Sequence, residues 1–146
     1  MIVETGDLPG LRGRVAMVDG GFDPLHAGHV SYFRAAAELG LPVLCNVAPD
    51  EWVETKHPPL LPQAERAQVI DAIRWIDYTH VCTGLTVDVL RSAVPRCYVK
   101  GADWRGRLPE AETAVCDELG IDVIFLDTVT DSSTEILARY ERRRSR

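Results

Sequence analysis

Hydrophobic positions along the chain fall into two alternating patterns. Short apolar runs predict five strands, and longer stretches with apolar residues three or four positions apart predict helices. The predicted strands cover residues 15–18, 43–47, 79–82, 97–99 and 122–126. The predicted helices cover residues 28–39, 49–53, 63–75, 86–93 and 109–119, and a last helix begins after a cap at Ser132 or Ser133. Strands that alternate with helices indicate an α/β layer fold with a parallel sheet and right-handed crossovers.

The first residues and one internal segment depart from this alternation. Residues 1–13 hold too many glycines and prolines for regular structure, so we expect a leader there and a single domain over residues 14–146. Residues 56–62 carry three prolines in five positions and are predicted to be a loop, because proline denies a helix or a strand its backbone donors.

Composition and charge narrow the classes of protein. The chain has 146 residues, of which 46% are hydrophobic and 26% charged, as in ordinary globular proteins. It has no apolar run of the roughly 20 residues that a membrane span needs, and no basic, apolar start typical of a signal peptide, so we expect a cytoplasmic protein without membrane contact. A net charge of -6 argues against nucleic-acid binding but not against a nucleotide ligand. The four cysteines form no Cys-x-x-Cys pair and are expected to be buried, reduced thiols.

The segment Gly20–His29 is the most informative part of the chain. It follows an apolar strand, contains two adjacent glycines and runs into a helix, which is a common way to hold a phosphate at a helix N-terminus. His26 and His29 are three residues apart and can share one face of the first helical turn. Zinc binding by the same pair is disfavoured, because no further ligands stand nearby in sequence. A purely structural histidine pair is the other alternative.

Three segments with chemical character each follow a predicted strand. They are residues 20–29, residues 100–104 and residues 127–133. Loops that follow parallel strands emerge at the same edge of the sheet, so these segments are expected to converge on one composite site.

The three segments together resemble a known family. Gly-Gly-Phe-Asp-Pro-Leu-His-Ala-Gly-His at 20–29 matches the signature of the cytidylyltransferase-like nucleotidyltransferases, and Lys-Gly-Ala-Asp-Trp at 100–104 is similar to their Lys-Gly-x-Asp-Tyr/Trp segment. Asp-Ser-Ser-Thr-Glu-Ile at 131–136 resembles their C-terminal Ser-Thr-Thr/Ser-x-Ile segment. Within the family the likeness is greatest to the heptose-1-phosphate adenylyltransferase domain and next to glycerol-3-phosphate cytidylyltransferase. The resemblance implies a Rossmann-like three-layer fold of the HIGH-type superfamily, with a five-stranded parallel sheet.

The resemblance also implies an activity. A phosphorylated sugar or polyol would attack the α-phosphate of a nucleoside triphosphate, with Mg²⁺ carried by the nucleotide and pyrophosphate as the leaving group. Cytidylyltransferases often carry Arg-Thr-x-Gly before the serine–threonine segment, whereas this chain has Asp-Thr-Val-Thr at 127–130, which favours ATP over CTP. A homodimer is expected from the family alone. An inactive nucleotide sensor on the same fold is the alternative, and an NAD-binding domain is disfavoured because Gly-x-Gly-x-x-Gly is absent.

Site residues carry over from the resemblance position by position. The expected catalytic residues are His26, His29 and Lys56, with the histidines acting as phosphate donors that are strongest when protonated. The expected nucleotide-binding residues are Gly20, Gly21, Phe22, Asp23, Gly28, Lys100, Gly101, Asp103, Ser132, Ser133 and Thr134. Asp23 is expected to cap the turn or to orient a histidine. Arg66 and Trp104 are candidate substrate-binding residues, no protein metal ligand is expected, and the parts played by Asp127 and Asp131 stay open.

Overall fold

The structure, a computed structural model, describes residues 1–127 and 132–146. Its strands are β1 (Ile2–Val3), β2 (Ala16–Gly20), β3 (Val43–Val47), β4 (Tyr78–Val81), β5 (Cys97–Gly101) and β6 (Asp122–Leu126). Its α-helices are α1 (Ala27–Ala37), α2 (Asp50–Glu54), α3 (Gln63–Asp71), α4 (Thr86–Ala93), α5 (Glu110–Leu119) and α6 (Ser133–Arg144), with 3₁₀ helices at Thr5–Leu11 and Ala102–Trp104. The strands form one sheet in the order β1-β4-β3-β2-β5-β6, and every neighbouring pair is parallel.

The sheet has six strands rather than five, and the extra strand lies in the segment expected to be a leader. β1 pairs with β4 through Ile2 opposite Thr79 and Val3 opposite His80. The 3₁₀ helix that follows buries Leu8 completely in the core beside the sheet. The prediction of irregular structure for residues 1–13 is therefore wrong, because a two-residue edge strand is too short to leave a periodic pattern.

Most other elements match the sequence pattern, with differences at their ends. β3, β6 and α4 have the predicted bounds, while α3 ends at Asp71 instead of continuing to residue 75. The N-caps of α2 and α4 are Pro49 and Leu85, so Asp50 and Thr86 lie one position inside their helices and do not cap them. Ser132 is the N-cap of α6, and its hydroxyl accepts a hydrogen bond from the Glu135 amide.

Two hydrophobic cores cover the two faces of the sheet, which gives the three-layer arrangement. On one face Met17, Leu44 and Tyr98 pack against α4, α5 and the first 3₁₀ helix. On the other face Val18 and Val99 pack against α1 and α3. The four cysteines are divided between the two cores, and all four are buried and free, as predicted.

The strand order reverses its direction next to β2. The chain proceeds outward from β2 to β3 and β4, then crosses back to place β5 on the other side of β2. Such a reversal opens a crevice beyond the carboxyl ends of the strands, where ligands bind in open α/β sheets. Within the described ranges, no helix has the length and apolar character needed to cross a membrane.

Candidate active site

A cavity of about 810 Å³ lies at this reversal, beyond the carboxyl ends of β2 and β5. Its lining includes residues from all three segments that the sequence analysis singled out. These are Gly20, Gly21, Phe22, Asp23, His29, Lys100, Gly101, Asp103, Trp104, Ser132, Ser133 and Thr134. Lys56 lies in the lining as well, so the predicted convergence on one composite site is what the fold produces.

The two motif histidines form a stacked pair at the start of α1. Their ring centroids are 3.7 Å apart. The Gly28 amide donates to His26 Nδ1 at 3.0 Å, and the His26 amide donates to His29 Nδ1 at 3.3 Å. Because each Nδ1 accepts a hydrogen bond, each neutral ring carries its proton on Nε2. His29 lines the cavity and is thereby set up to offer an Nε2–H donor, whereas His26 and Gly28 are not among the described residues of the lining. The Gly28 amide contributes to holding the pair.

His29 does not carry near neutral pH the extra proton that would make it the stronger phosphate donor. Burial, reinforced by the positive charge that His26 can carry, lowers the pKa of His29 to about 3. His29 is therefore neutral near pH 7 before any anion binds. A neutral Nε2–H still donates to a phosphate oxygen, and an adjacent triphosphate would favour the protonated form.

Phe22 and Gly21 shape the turn that precedes the histidines. The Phe22 ring is buried and packs edge-on against the His29 ring, with 5.0 Å between the ring centroids. A side chain at Gly21 would bring its Cβ to 3.1 Å from both Trp52 Cζ3 and Val53 Cγ2. A side chain at position 21 would therefore require Trp52 and Val53 to shift slightly, so glycine lets α2 pack directly against the turn.

Asp23 joins the turn to the proline-rich loop. Its carboxylate is almost fully buried and accepts hydrogen bonds from the amides of Leu60, at 2.7 Å, and Leu61, at 3.2 Å. Its observed contacts differ from the predicted roles of capping the turn or orienting a histidine. Asp23 instead holds the end of the loop that carries Lys56.

Two lysines and two tryptophans form a cationic wall of the cavity. Lys56 Nζ lies 4.6 Å from the ring centroid of Trp52 and 5.7 Å from that of Trp104. Lys100 Nζ lies 4.2 Å from the centroid of Trp104, so this ring lies next to both ammonium groups. Partial burial and the charge of Lys100 lower the pKa of Lys56. Lys56 therefore offers its ammonium to an anion from the face of an aromatic ring, whereas the ammonium of Lys100 is also ion-paired with Asp19 at 2.7 Å.

Asp19, which no sequence motif marked, is the electrostatic centre of the β2–β5 junction. Its carboxylate accepts a hydrogen bond from Lys100 Nζ at 2.7 Å and lies 2.8 Å from the Tyr98 hydroxyl. The same hydroxyl lies 2.8 Å from Glu112. One phenolic hydrogen cannot serve two ionised carboxylates, and burial raises the pKa of Glu112, so this group is suited to share a proton with Tyr98. A carboxylate at the end of an otherwise apolar strand was the signal that could have identified Asp19.

Arg66 lies beneath the site, and its side chain is fully buried. Its guanidinium donates to the carbonyl oxygens of Gly21, Ala48 and Leu61 and forms an ion pair of 2.6 Å with Asp50. With its donors committed to protein acceptors, Arg66 supports the loops around the cavity. Arg66 is not among the described residues that line the cavity, and its role in substrate binding stays a prediction.

The serine–threonine segment reaches the histidine turn at the start of α6. Ser133 donates from its hydroxyl to the Pro24 carbonyl at 2.8 Å, which attaches α6 to that turn. Asp127 is exposed and is not among the described residues that line the cavity. Residues 128–131, including Asp131, lie outside the described residues.

The described residues include no group of three or more histidines, cysteines or carboxylates placed to hold a metal ion together.

Comparison with known proteins agrees with this geometry. The family model described as cytidylyltransferase-like matches residues 17–139. The bifunctional protein HldE of Nitratiruptor sp. is 30% identical over 136 residues, which is 90% of this chain and 28% of HldE. FAD synthase of Pyrococcus horikoshii is 37% identical over 93 residues, which is 60% of this chain and 62% of that protein. Ethanolamine-phosphate cytidylyltransferase of Arabidopsis thaliana is 36% identical over 93 residues, which is 62% of this chain and 22% of that protein.

These matches span less than two thirds of each of the three relatives. Among solved structures, a lipopolysaccharide core biosynthesis protein of Thermoplasma volcanium has a TM-score of 0.68 and 23% identity, covering 79% of this chain and 97% of that one. That likeness supports the fold alone. The match over residues 17–139 and the HldE and cytidylyltransferase relatives confirm the resemblance inferred from the motifs. The chain belongs to the cytidylyltransferase-like family of nucleotidyltransferases.

Proposed function

We propose that this chain transfers a nucleoside monophosphate from a nucleoside triphosphate, with ATP favoured over CTP, to a phosphorylated sugar or polyol. The observation that carries the proposal is the shared cavity at the strand-order reversal. It brings His29, Lys56, Lys100 and the start of α6 to one place. A triphosphate needs several donors and cations on one side, and this group of side chains offers them.

The chemical step is a substitution at the α-phosphorus. An oxygen of the acceptor's phosphate forms a bond to that phosphorus, and the bond to the bridging oxygen of the β-phosphate breaks as pyrophosphate leaves. The attacking phosphate is already an anion near neutral pH, so no strong base is required. The protein's contribution is to bring two anions together and to stabilise the charge of the transition state.

The chain's own side chains divide this work. The Nε2–H groups of His26 and His29 donate to phosphate oxygens, held in that orientation by their Nδ1 contacts. Lys56, on the loop fixed by Asp23, and Lys100 supply positive charge to the same cavity. Trp104 keeps both ammonium groups close to the cavity.

Further parts of the proposal rest on the family resemblance. Mg²⁺ would be bound to the triphosphate and would neutralise part of its charge. The preference for ATP rests on the missing arginine at residues 127–130. A cytoplasmic location and a homodimer complete the proposal, and sedimentation of the purified chain measures the latter.

The test is a pyrophosphate-release assay. ATP and CTP are each combined with Mg²⁺ and with a panel of phosphorylated acceptors, including sugar phosphates, polyol phosphates, phosphoethanolamine and FMN. The proposal expects turnover with ATP and a sugar or polyol phosphate. His29→Ala should lower kcat by about 10²–10³-fold, the loss typical of a removed transition-state donor.

Arg34→Ala is the matched control, because Arg34 lies on the same helix, is exposed and pairs with Glu38. It should leave turnover unchanged. Near-normal turnover in His29→Ala would exclude the histidine from the chemistry. Nucleotide binding without turnover for any acceptor would favour the inactive sensor.

A further inference from the structure

One face of the sheet changes from apolar to polar as its strands approach the cavity. Leu44 and Tyr78 are paired in the apolar layer, and two residues later β3 and β4 carry Asn46 and His80, again paired. Asn46 is also in register with Asp19 on β2. The three polar residues therefore form a row across β2, β3 and β4 on one face of the sheet.

His80 and Thr5 orient the Asn46 side chain through hydrogen bonds. Its Oδ1 lies 2.8 Å from His80 Nδ1, and His80 Nε2 lies 2.9 Å from the Thr5 hydroxyl. Burial lowers the pKa of His80, so the ring is neutral. With the ring proton on Nδ1, His80 donates to Asn46 and accepts from Thr5, which gives each of the three groups a consistent partner.

The other end of the Asn46 side chain faces the cavity. Asn46 is 1% exposed, yet it belongs to the cavity lining. Its Oδ1 is occupied by His80, and within the described part of the chain its Nδ2 amide has no hydrogen-bond partner. The Nδ2 amide can therefore donate to a ligand oxygen in the cavity, in exchange for its hydrogen bond to solvent.

The position of Asn46 separates it from the proposed nucleotide-binding segments. Those segments follow β2, β5 and β6, whereas Asn46 lies on β3 beside β4. The histidine helix α1 packs on the opposite face of the sheet. Thr83 and Thr86 also line the cavity, and the Thr86 hydroxyl donates to the Asp19 carboxylate at 3.4 Å. Because Asp19 is in register with Asn46, a phosphate is disfavoured beside Asn46 and a neutral, hydroxylated group is favoured.

We infer that Asn46, oriented by His80 and Thr5, is a specificity-determining residue that donates a hydrogen bond to a hydroxyl oxygen of the acceptor. The inference rests on the proposed function for the identity of the acceptor as a phosphorylated molecule. It adds that the part of the acceptor remote from its phosphate is hydroxylated and lies against β3 and β4. An acceptor whose remote part is a quaternary ammonium group gains nothing from this amide.

A binding experiment tests the inference without requiring turnover. The side-chain amide resonance of Asn46 is assigned in ¹⁵N-labelled protein by its loss in Asn46→Asp. Glycerol 3-phosphate, glucose 1-phosphate, phosphocholine and inorganic phosphate are then added separately, each in the presence of a non-hydrolysable ATP analogue. The resonance should shift with at least one of the hydroxylated phosphates and not with phosphocholine, inorganic phosphate or the ATP analogue alone.

Steady-state kinetics supply the second readout. With an acceptor that turns over, Asn46→Asp and Asn46→Ala should raise the KM for the acceptor about ten- to a hundredfold and leave kcat and the KM for ATP within about twofold. Cys45→Ala is the control, because Cys45 is the adjacent fully buried residue on the opposite face. It should lower stability without changing either KM.

The outcomes separate this inference from the proposed function. Turnover with a hydroxylated phosphate, combined with no shift of the Asn46 resonance or with an unchanged acceptor KM in both variants, overturns the inference alone. A shifted resonance without turnover for any acceptor supports the inference and counts against the proposed enzyme. The absence of both turnover and any shift overturns both.

Discussion

Replacing Arg66 by methionine separates a supporting residue from a substrate-binding one. Four hydrogen bonds connect the guanidinium to Gly21, Ala48, Leu61 and Asp50, at distances of 2.6 to 3.1 Å. Three of these acceptors are backbone carbonyls in separate segments around the cavity. Methionine fills much of the same volume but donates no hydrogen bond, so the carbonyls lose their common partner.

The magnitude follows from opposing contributions. Hydrogen bonds from a charged donor contribute about 1.5–3 kcal/mol each, but they are not additive, and removing the guanidinium also ends the cost of burying its charge. The Asp50 carboxylate is 39% exposed and can return to water, whereas each backbone carbonyl left without a donor costs about 1–3 kcal/mol. We expect Arg66→Met to lower the free energy of unfolding by about 3–5 kcal/mol, which is a large part of the 5–15 kcal/mol usual for a domain.

Urea unfolding monitored by circular dichroism measures this change, and the KM for ATP is measured on the variant under conditions where it is folded. Arg74→Met is the control, because Arg74 follows α3 but is exposed, and its effect on stability should stay within about 0.5 kcal/mol. A stability loss below about 1 kcal/mol together with a large rise in the KM for ATP would refute the supporting role and restore direct substrate binding.

Three further predictions concern charge. The pKa of His29 is lowered from 6.5 to about 3 in the folded chain, so protonation favours the unfolded chain. The free energy of unfolding should therefore fall by about 1–2 kcal/mol from pH 7 to pH 5. Urea titrations of His29→Gln should lack most of this fall, and an identical fall in both proteins would contradict the prediction. Lys56→Met should lower kcat/KM by about 10²-fold in the pyrophosphate assay, with stability within about 0.5 kcal/mol because Lys56 is exposed, and unchanged kinetics would exclude Lys56 from the site. Asp19→Asn should lower the free energy of unfolding by about 2–4 kcal/mol, because it leaves the buried ammonium of Lys100 with a weaker partner. In a double-mutant cycle with Lys100→Met the two losses should not add. Simple additivity of the two losses would argue against the pairing.

The parts of the fold that sequence could predict are those with a repeated local pattern. β3 and β6 are mostly apolar runs, broken by Asn46 in β3 and by Asp122 at the start of β6, and α4 places its buried residues at helical spacing. β1 has two residues and depends on pairing with β4, which lies more than 70 positions along the chain. A contact of that kind leaves no local periodicity, so the sequence pattern does not predict this edge strand.

The residues of the candidate site also differ in whether a local sequence pattern predicts them. The histidine turn and the segment at Lys100 are contiguous in sequence, and their convergence follows from the direction of parallel strands. Asp19, Arg66 and Asn46 act through partners on other strands and loops. Asp19 and Asn46 are polar residues in mostly apolar strands, and Arg66 is buried beneath the cavity. The role of each depends on which atoms of other segments its side chain contacts.

The buried polar residues beside the cavity explain what an apolar core would not supply. An apolar residue at position 46 would pack on β3 as its neighbours do, but it would offer the cavity no hydrogen-bond donor. His80 and Thr5 orient the Asn46 amide, and the edge segment that carries Thr5 is itself anchored by β1. An acceptor oxygen that meets this oriented amide gains a hydrogen bond, which connects the edge strand of this fold to the choice of acceptor.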